Sequence, residues 1–156
     1  MIKRILSSLL VYVTLAACVN DKEADEPVWS LREGDPLPEF TVTMNDGTVW
    51  TTRDLWGYES VIVFFNTECA DCRRELPAIQ LEYYESVRRG IPYLLISREE
   101  DPEHIATYWK NHGLTMPYSA QRDRRIYNLF ANSGIPRIYR ADFRCIIYSV
   151  ETSIKK

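Results

Sequence analysis

Residues 64–77 read FFNTECADCRRELP and set two cysteines, Cys69 and Cys72, three positions apart where one sequence pattern gives way to another. Upstream, Val61-Ile62-Val63-Phe64-Phe65 is a run of β-branched and aromatic residues, long enough for a buried strand and too short for a buried helix. Downstream the period changes. Leu76, Ile79, Tyr83 and Val87 recur at steps of three and four, which predicts a helix over 71–89 with one face on a sheet. Cys69 therefore precedes a helix N-terminus, where unpaired N–H groups and the helix dipole favour a thiolate, and Cys72 sits one turn inside. At that spacing the sulfurs can join in a disulfide, so Cys69 can attack a partner's disulfide and Cys72 can resolve the mixed intermediate.

The same spacing is half of a zinc site, but there is no second cysteine pair to complete four ligands. His104 and His112 fall in a later helical pattern, where surface positions are the simplest reading. A bridge closing so short a loop constrains the unfolded chain little, so stability alone is a poor reason for it. The reading calls for neither a metal nor a cofactor.

Residues 1–17 carry Lys3 and Arg4 and then an apolar stretch too short to cross a bilayer, ending in small residues, which predicts a signal peptide. Leu15-Ala16-Ala17-Cys18 resembles the bacterial lipobox. That resemblance makes Cys18 a lipidated N-terminus and anchors the protein outside the cytoplasm; the alternative is a secreted protein with a free Cys18. Residues 18–31 follow as an acidic tether, with Asp21, Glu23, Asp25 and Glu26 against Lys22 and too little apolar content to fold. The body, 32–154, is long enough for one domain and too short for two. Lys3 and Arg4 are the only charges of 1–17, so the formal net charge of -3 becomes -5 without that segment, which argues against a nucleic-acid partner.

Within the body, Asn45-Asp46-Gly47 is a tight-turn signal between two short strands, 40–43 and 48–50, and predicts a leading β-hairpin. Residues 53–57 make a brief turn before the buried strand. Gly90 suits the end of the first helix, and 92–97 is a second apolar strand, which implies a parallel crossover. A helix is expected over 102–112 with Ile105 and Trp109 inward, and another over 123–131 with Ile126, Tyr127, Leu129 and Phe130 inward. Gly134-Ile135-Pro136 then leads into a closing hairpin of strands 137–140 and 145–150, with Cys145 read as a half-buried strand residue.

This order, with GDPLPEFTV and NDGT, CADCRRELP and GIPRIY as its motifs, resembles the thioredoxin-like family over nearly the whole body. The likeness is to its membrane-tethered, extracytoplasmic branch related to alkyl hydroperoxide reductase and the thiol-disulfide interchange proteins. The resemblance implies an α/β fold: a central mixed β-sheet flanked by helices, an N-terminal β-hairpin and an extra helix. It implies catalytic roles for Cys69, Cys72 and Pro136, a cis Ile135-Pro136 peptide, and a backbone at Ile135 that pairs with a substrate strand. The implied partners are extracytoplasmic proteins with disulfides, apocytochrome c among them, and a membrane-embedded thiol electron donor. Three departures stand out. Glu68 occupies the place where the family often has Trp, and is read as a further substrate-side residue or proton acceptor. Val63 replaces the buried acid of the strand before the site, and Arg144-Cys145 occupy a turn where Gly is common, which would expose Cys145.

Three functions compete: a thiol-disulfide oxidoreductase, a peroxiredoxin-like peroxidase, and a non-catalytic lipoprotein that binds partners through Ile135-Pro136. Peroxidases of this family use a Pro-x-x-x-Thr/Ser-x-x-Cys frame. Counting back from Cys69 gives Asn66 and Ile62, and from Cys72 gives Cys69 and Phe65, so neither cysteine fits.

Overall fold

Along the chain, a hairpin of β1 (Thr41–Thr43) and β2 (Val49–Thr51) comes first, its turn closed at Asn45-Asp46-Gly47 with Gly47 at φ 86°. Then follow β3 (Ser60–Phe65), α1 (Ala70–Arg88), β4 (Tyr93–Ser97), α2 (Pro102–His112), β5 (Arg137–Ala141) and β6 (Ile147–Glu151). These come from a computed structural model, which describes residues 28–154. The sheet order is β4-β3-β5-β6, with β3 parallel to β4 and antiparallel to β5. It is the mixed, helix-flanked α/β sheet that the sequence implies.

Every residue of β3 and β4 is buried, because both faces of the sheet are covered. Side chains alternate between two cores. Ile62, Phe64, Leu94 and Ile96 meet the N-terminal hairpin side together with Tyr127 and Phe130. Val63, Phe65 and Leu95 meet Leu76 and Ile79 of α1 and Ile105 and Trp109 of α2. Arg140 in β5 ties the helix to the sheet by pairing with Glu82 of α1 and Glu151 of β6.

Several expectations need correction. The expected helix over 123–131 is only a 3-10 turn at Tyr127–Leu129, and Leu129 is exposed. The Asp123 carboxylate accepts the Arg125 backbone N–H, an Asx-type turn that competes with helix, and the Phe130 carbonyl is taken by Leu31 N–H at 2.7 Å. That last bond also shortens the tether. Trp29 and Leu31 both bond to the 130–132 segment, and Ser30 bridges Ala131, so the chain joins the domain before residue 32. Val87, expected on the inner face of α1, is exposed. Cys145 is not a strand residue: it lies in the β5–β6 turn with φ 58°, the left-handed conformation that explains why Gly is common there, yet it is buried against Thr52. The expected signal peptide, Cys18 and most of the expected tether lie outside the described residues.

Candidate active site

Because β3 and β4 run one way and β5 the other, the ends of the first two and the start of the third meet at one end of the sheet. The loop at 66–69, the segment at 98–100 and the Ile135-Pro136 peptide all converge there. Asn66 knits the loop. Its carbonyl accepts from Cys69 N–H at 3.2 Å, its Oδ1 accepts from Glu68 N–H at 2.8 Å, and its Nδ2 donates to the Arg98 carbonyl at 3.0 Å.

Cys69 caps α1. Its sulfur accepts from Cys72 N–H at 3.4 Å and its thiol reaches the Ile135 carbonyl at 3.6 Å. Cys69 is partly exposed, whereas Cys72 is fully buried. Burial pushes the Cys72 thiol well above its ordinary range, the neighbouring Cys69 adds to that, and the Asn66 backbone and Arg98 charge pull weakly the other way. The Ile135-Pro136 peptide is cis, as the resemblance implies. An accessible sulfur is thus held between its buried partner and a backbone edge, which is what attack followed by resolution requires.

Glu68 is exposed, on the rim of a cleft of about 290 Å³ that it shares with Thr67, His104, Tyr108 and His112. The two histidines are surface residues, as expected, but they stand beside the site. Asp71, between the cysteines, pairs with Arg74 at 2.7 Å on the exposed face of α1.

One residue was not singled out from the sequence. Glu100 is buried, and its carboxylate accepts the Thr67 backbone N–H at 2.9 Å and the Thr67 hydroxyl. A buried carboxylate therefore does stand near the dithiol, although Val63 leaves none in β3. In the sequence Glu100 belongs to the run Glu99-Glu100-Asp101, which looks like a solvated acidic stretch; only Thr67, far away in sequence, reveals it.

The chain matches the AhpC/TSA family over residues 34–143. It belongs to that family. Two proteins named thiol-disulfide oxidoreductase ResA are similar to it. The one from Bacillus subtilis (strain 168) is 23% identical over 110 residues, which are 70% of this chain and 62% of that protein. The one from Bacillus thuringiensis (strain Al Hakam) is 22% identical over 138 residues, 88% of this chain and 76% of that protein. In three dimensions, the thioredoxin domain of a thiol-disulfide oxidoreductase from Bacteroides vulgatus superposes with a TM-score of 0.68 at 21% identity, covering 78% of this chain and 89% of that domain. The fold of this AhpC/TSA member is thioredoxin-like.

Proposed function

We infer that this protein is a thiol-disulfide oxidoreductase that reduces or exchanges disulfides in proteins outside the cytoplasm. The observation that carries the reading is the partly exposed Cys69 sulfur, 3.4 Å from the backbone N of the buried Cys72 and 3.6 Å from the Ile135 carbonyl. The names of its relatives support the same chemistry. The Cys69 thiolate attacks one sulfur of the substrate disulfide, and the other leaves as a thiolate and takes a proton. Cys72 loses its proton and attacks the Cys69 sulfur, which releases the second substrate thiol. The substrate gains two electrons and two protons, and a Cys69–Cys72 disulfide remains for an external dithiol to reduce. The backbone of Ile135 and the rim at Glu68 hold the substrate strand, and Pro136 shapes the edge that it meets.

The setting is part of the proposal. No helix among the described residues is long and apolar enough to cross a membrane. The Leu15–Cys18 motif supports a lipid anchor at Cys18 outside the cytoplasm, and that setting is compatible with a membrane-embedded dithiol as donor and with extracytoplasmic proteins such as apocytochrome c as substrates. The family name also covers peroxidases, but neither cysteine has their activating frame. Insulin reduction measured beside peroxide consumption, on residues 28–154, separates the readings. Insulin reduction dependent on both cysteines with negligible peroxide turnover is expected; peroxide turnover requiring Cys69 alone would favour a peroxidase, and neither activity would leave a binding protein.

A further inference from the structure

The arginines of this protein are unevenly satisfied. Arg74, Arg88, Arg122, Arg125, Arg140 and Arg144 each have a carboxylate partner within the molecule. Seven others have no ion-paired carboxylate among the described residues, and three of these, Arg98, Arg124 and Arg137, lie around Tyr127 and Gly134 at the end of the sheet that carries the dithiol. The Arg98 and Arg124 guanidiniums lie 5.3 and 5.4 Å from the centroid of the Tyr127 ring. Tyr127 in turn donates its hydroxyl to the Gly134 carbonyl at 2.7 Å. Arg137 donates from Nε to the Ser133 carbonyl at 3.0 Å and lies so close to Gly134 that a Cβ there would stand 3.3 Å from its Nη2.

Arg98 and Arg124 both stand over the Tyr127 ring and Arg137 lies against Gly134, so positive charge accumulates at this end of the sheet. Their donors are also undersubscribed. A guanidinium offers five N–H groups in a planar fork. Arg124 gives one to the Asn132 carbonyl, Arg137 gives one to Ser133 and makes a further contact with Tyr139, and the buried Nε of Arg98 has no hydrogen-bond partner among the described residues. The cluster is local: Arg98 N–H donates to the Phe65 carbonyl at 2.8 Å, which sets it abreast of the loop that carries Cys69, and Gly134 directly precedes Ile135. A substrate strand lying along Ile135 would present its neighbouring side chains to these donors. The charge of Arg98 is already felt at the buried Cys72 thiol, which fits that placement. In a chain that is acidic overall, general electrostatic attraction cannot deliver an acidic substrate, so a short-range site is what would select one.

We propose that Arg98, Arg124 and Arg137 form a carboxylate-binding subsite beside the dithiol, which selects disulfide substrates carrying a glutamate or aspartate within a residue or two of the attacked cysteine. The proposal rests on the thiol-disulfide reading above. A planar carboxylate matches the guanidinium fork, and a charge-assisted pair of this kind exceeds a neutral hydrogen bond in strength.

The test uses the protein with two disulfide-bridged peptides that differ only in Glu or Gln beside one cysteine, at low and at moderate ionic strength. The Glu peptide is expected to be reduced with about tenfold higher kcat/KM, mostly through KM, and the preference is expected to shrink with salt. Arg98→Gln and Arg124→Gln should each bring the ratio of the two peptides toward one. The ratio isolates recognition from any change in the sulfur chemistry, which both peptides share. Equal kcat/KM for the two peptides, or a preference that survives in both variants, would overturn the subsite while leaving the oxidoreductase intact. Reduction of neither peptide would overturn the oxidoreductase reading, and the subsite with it.

Discussion

Cys72 is the residue at which burial and chemistry pull against each other. Its thiol has no exposed surface, and burial raises its ionisation above the ordinary thiol value of 9.0. The folded protein therefore holds the Cys72 proton more tightly than the unfolded chain does. This contribution to stability is full below the ordinary value and is lost as pH rises above it, by about 1.4 kcal/mol per pH unit. Urea unfolding of the reduced protein is expected to show that steep alkaline decline, and Cys72→Ala to flatten it by that slope. Tyr93, also raised by burial and by Glu82, contributes equally to both proteins and cancels. Parallel declines for the two would contradict the assignment of Cys72 as a suppressed, protonated thiol. Suppression also has a kinetic side, since the resolving step needs this proton removed while the attacking step does not. Cys145 sits at the far end of the sheet, at the turn that follows β5, where it takes no part in this chemistry.

At the scale of elements, the site depends on two loops being held together, the one after β3 and the one after β4. Glu100 does this through the Thr67 N–H and hydroxyl, and Asn66 does it through the Arg98 carbonyl. Glu100→Leu would leave a buried N–H unpaired, and is expected to cost about 1–3 kcal/mol of stability in urea unfolding and to slow disulfide reduction. Glu100→Gln, which keeps one acceptor oxygen, is expected to cost less on both measures. A Leu variant as stable and as active as the parent would show that Thr67 needs no partner there. Elements built on a continuous apolar run or a clean period were legible in the sequence. β3, β4, α1 and α2 stand close to where their patterns placed them, because each buries a face against the sheet. The 123–131 segment was not legible, because the Asp123 side chain takes the Arg125 backbone N–H and the far end of the segment is held by the Leu31 N–H, from nearly a hundred residues away in sequence. The buried Glu100 and the arginines around Gly134 were hidden for the same reason: their partners come from other elements, and charged residues read one at a time look solvated.

Taken whole, the described residues form a thioredoxin-like domain in which three sequence segments gather at the end that carries Cys69 and Cys72. The fold was legible because the CxxC motif stands at a strand-to-helix junction, while the packing of Trp29, Ser30 and Leu31 onto the 130–132 segment was not, because those partners lie about a hundred residues away in sequence. Anchoring through Cys18 leads to the expectation that Cys18→Ser releases the protein from the membrane fraction or blocks its processing, as read by fractionation; a processed, unlipidated variant retained in the membrane would contradict it. The central claim is the division of labour between the sulfurs, with Cys69 attacking from the helix end and Cys72 resolving from beneath it. Its most direct measurement is the trapping of mixed disulfides in intact cells, resolved on non-reducing gels. Cys72→Ser is expected to accumulate adducts with extracytoplasmic proteins that reductant dissolves, and Cys69→Ser to accumulate none. Equal trapping by both variants, or adducts formed by Cys69→Ser alone, would contradict the account.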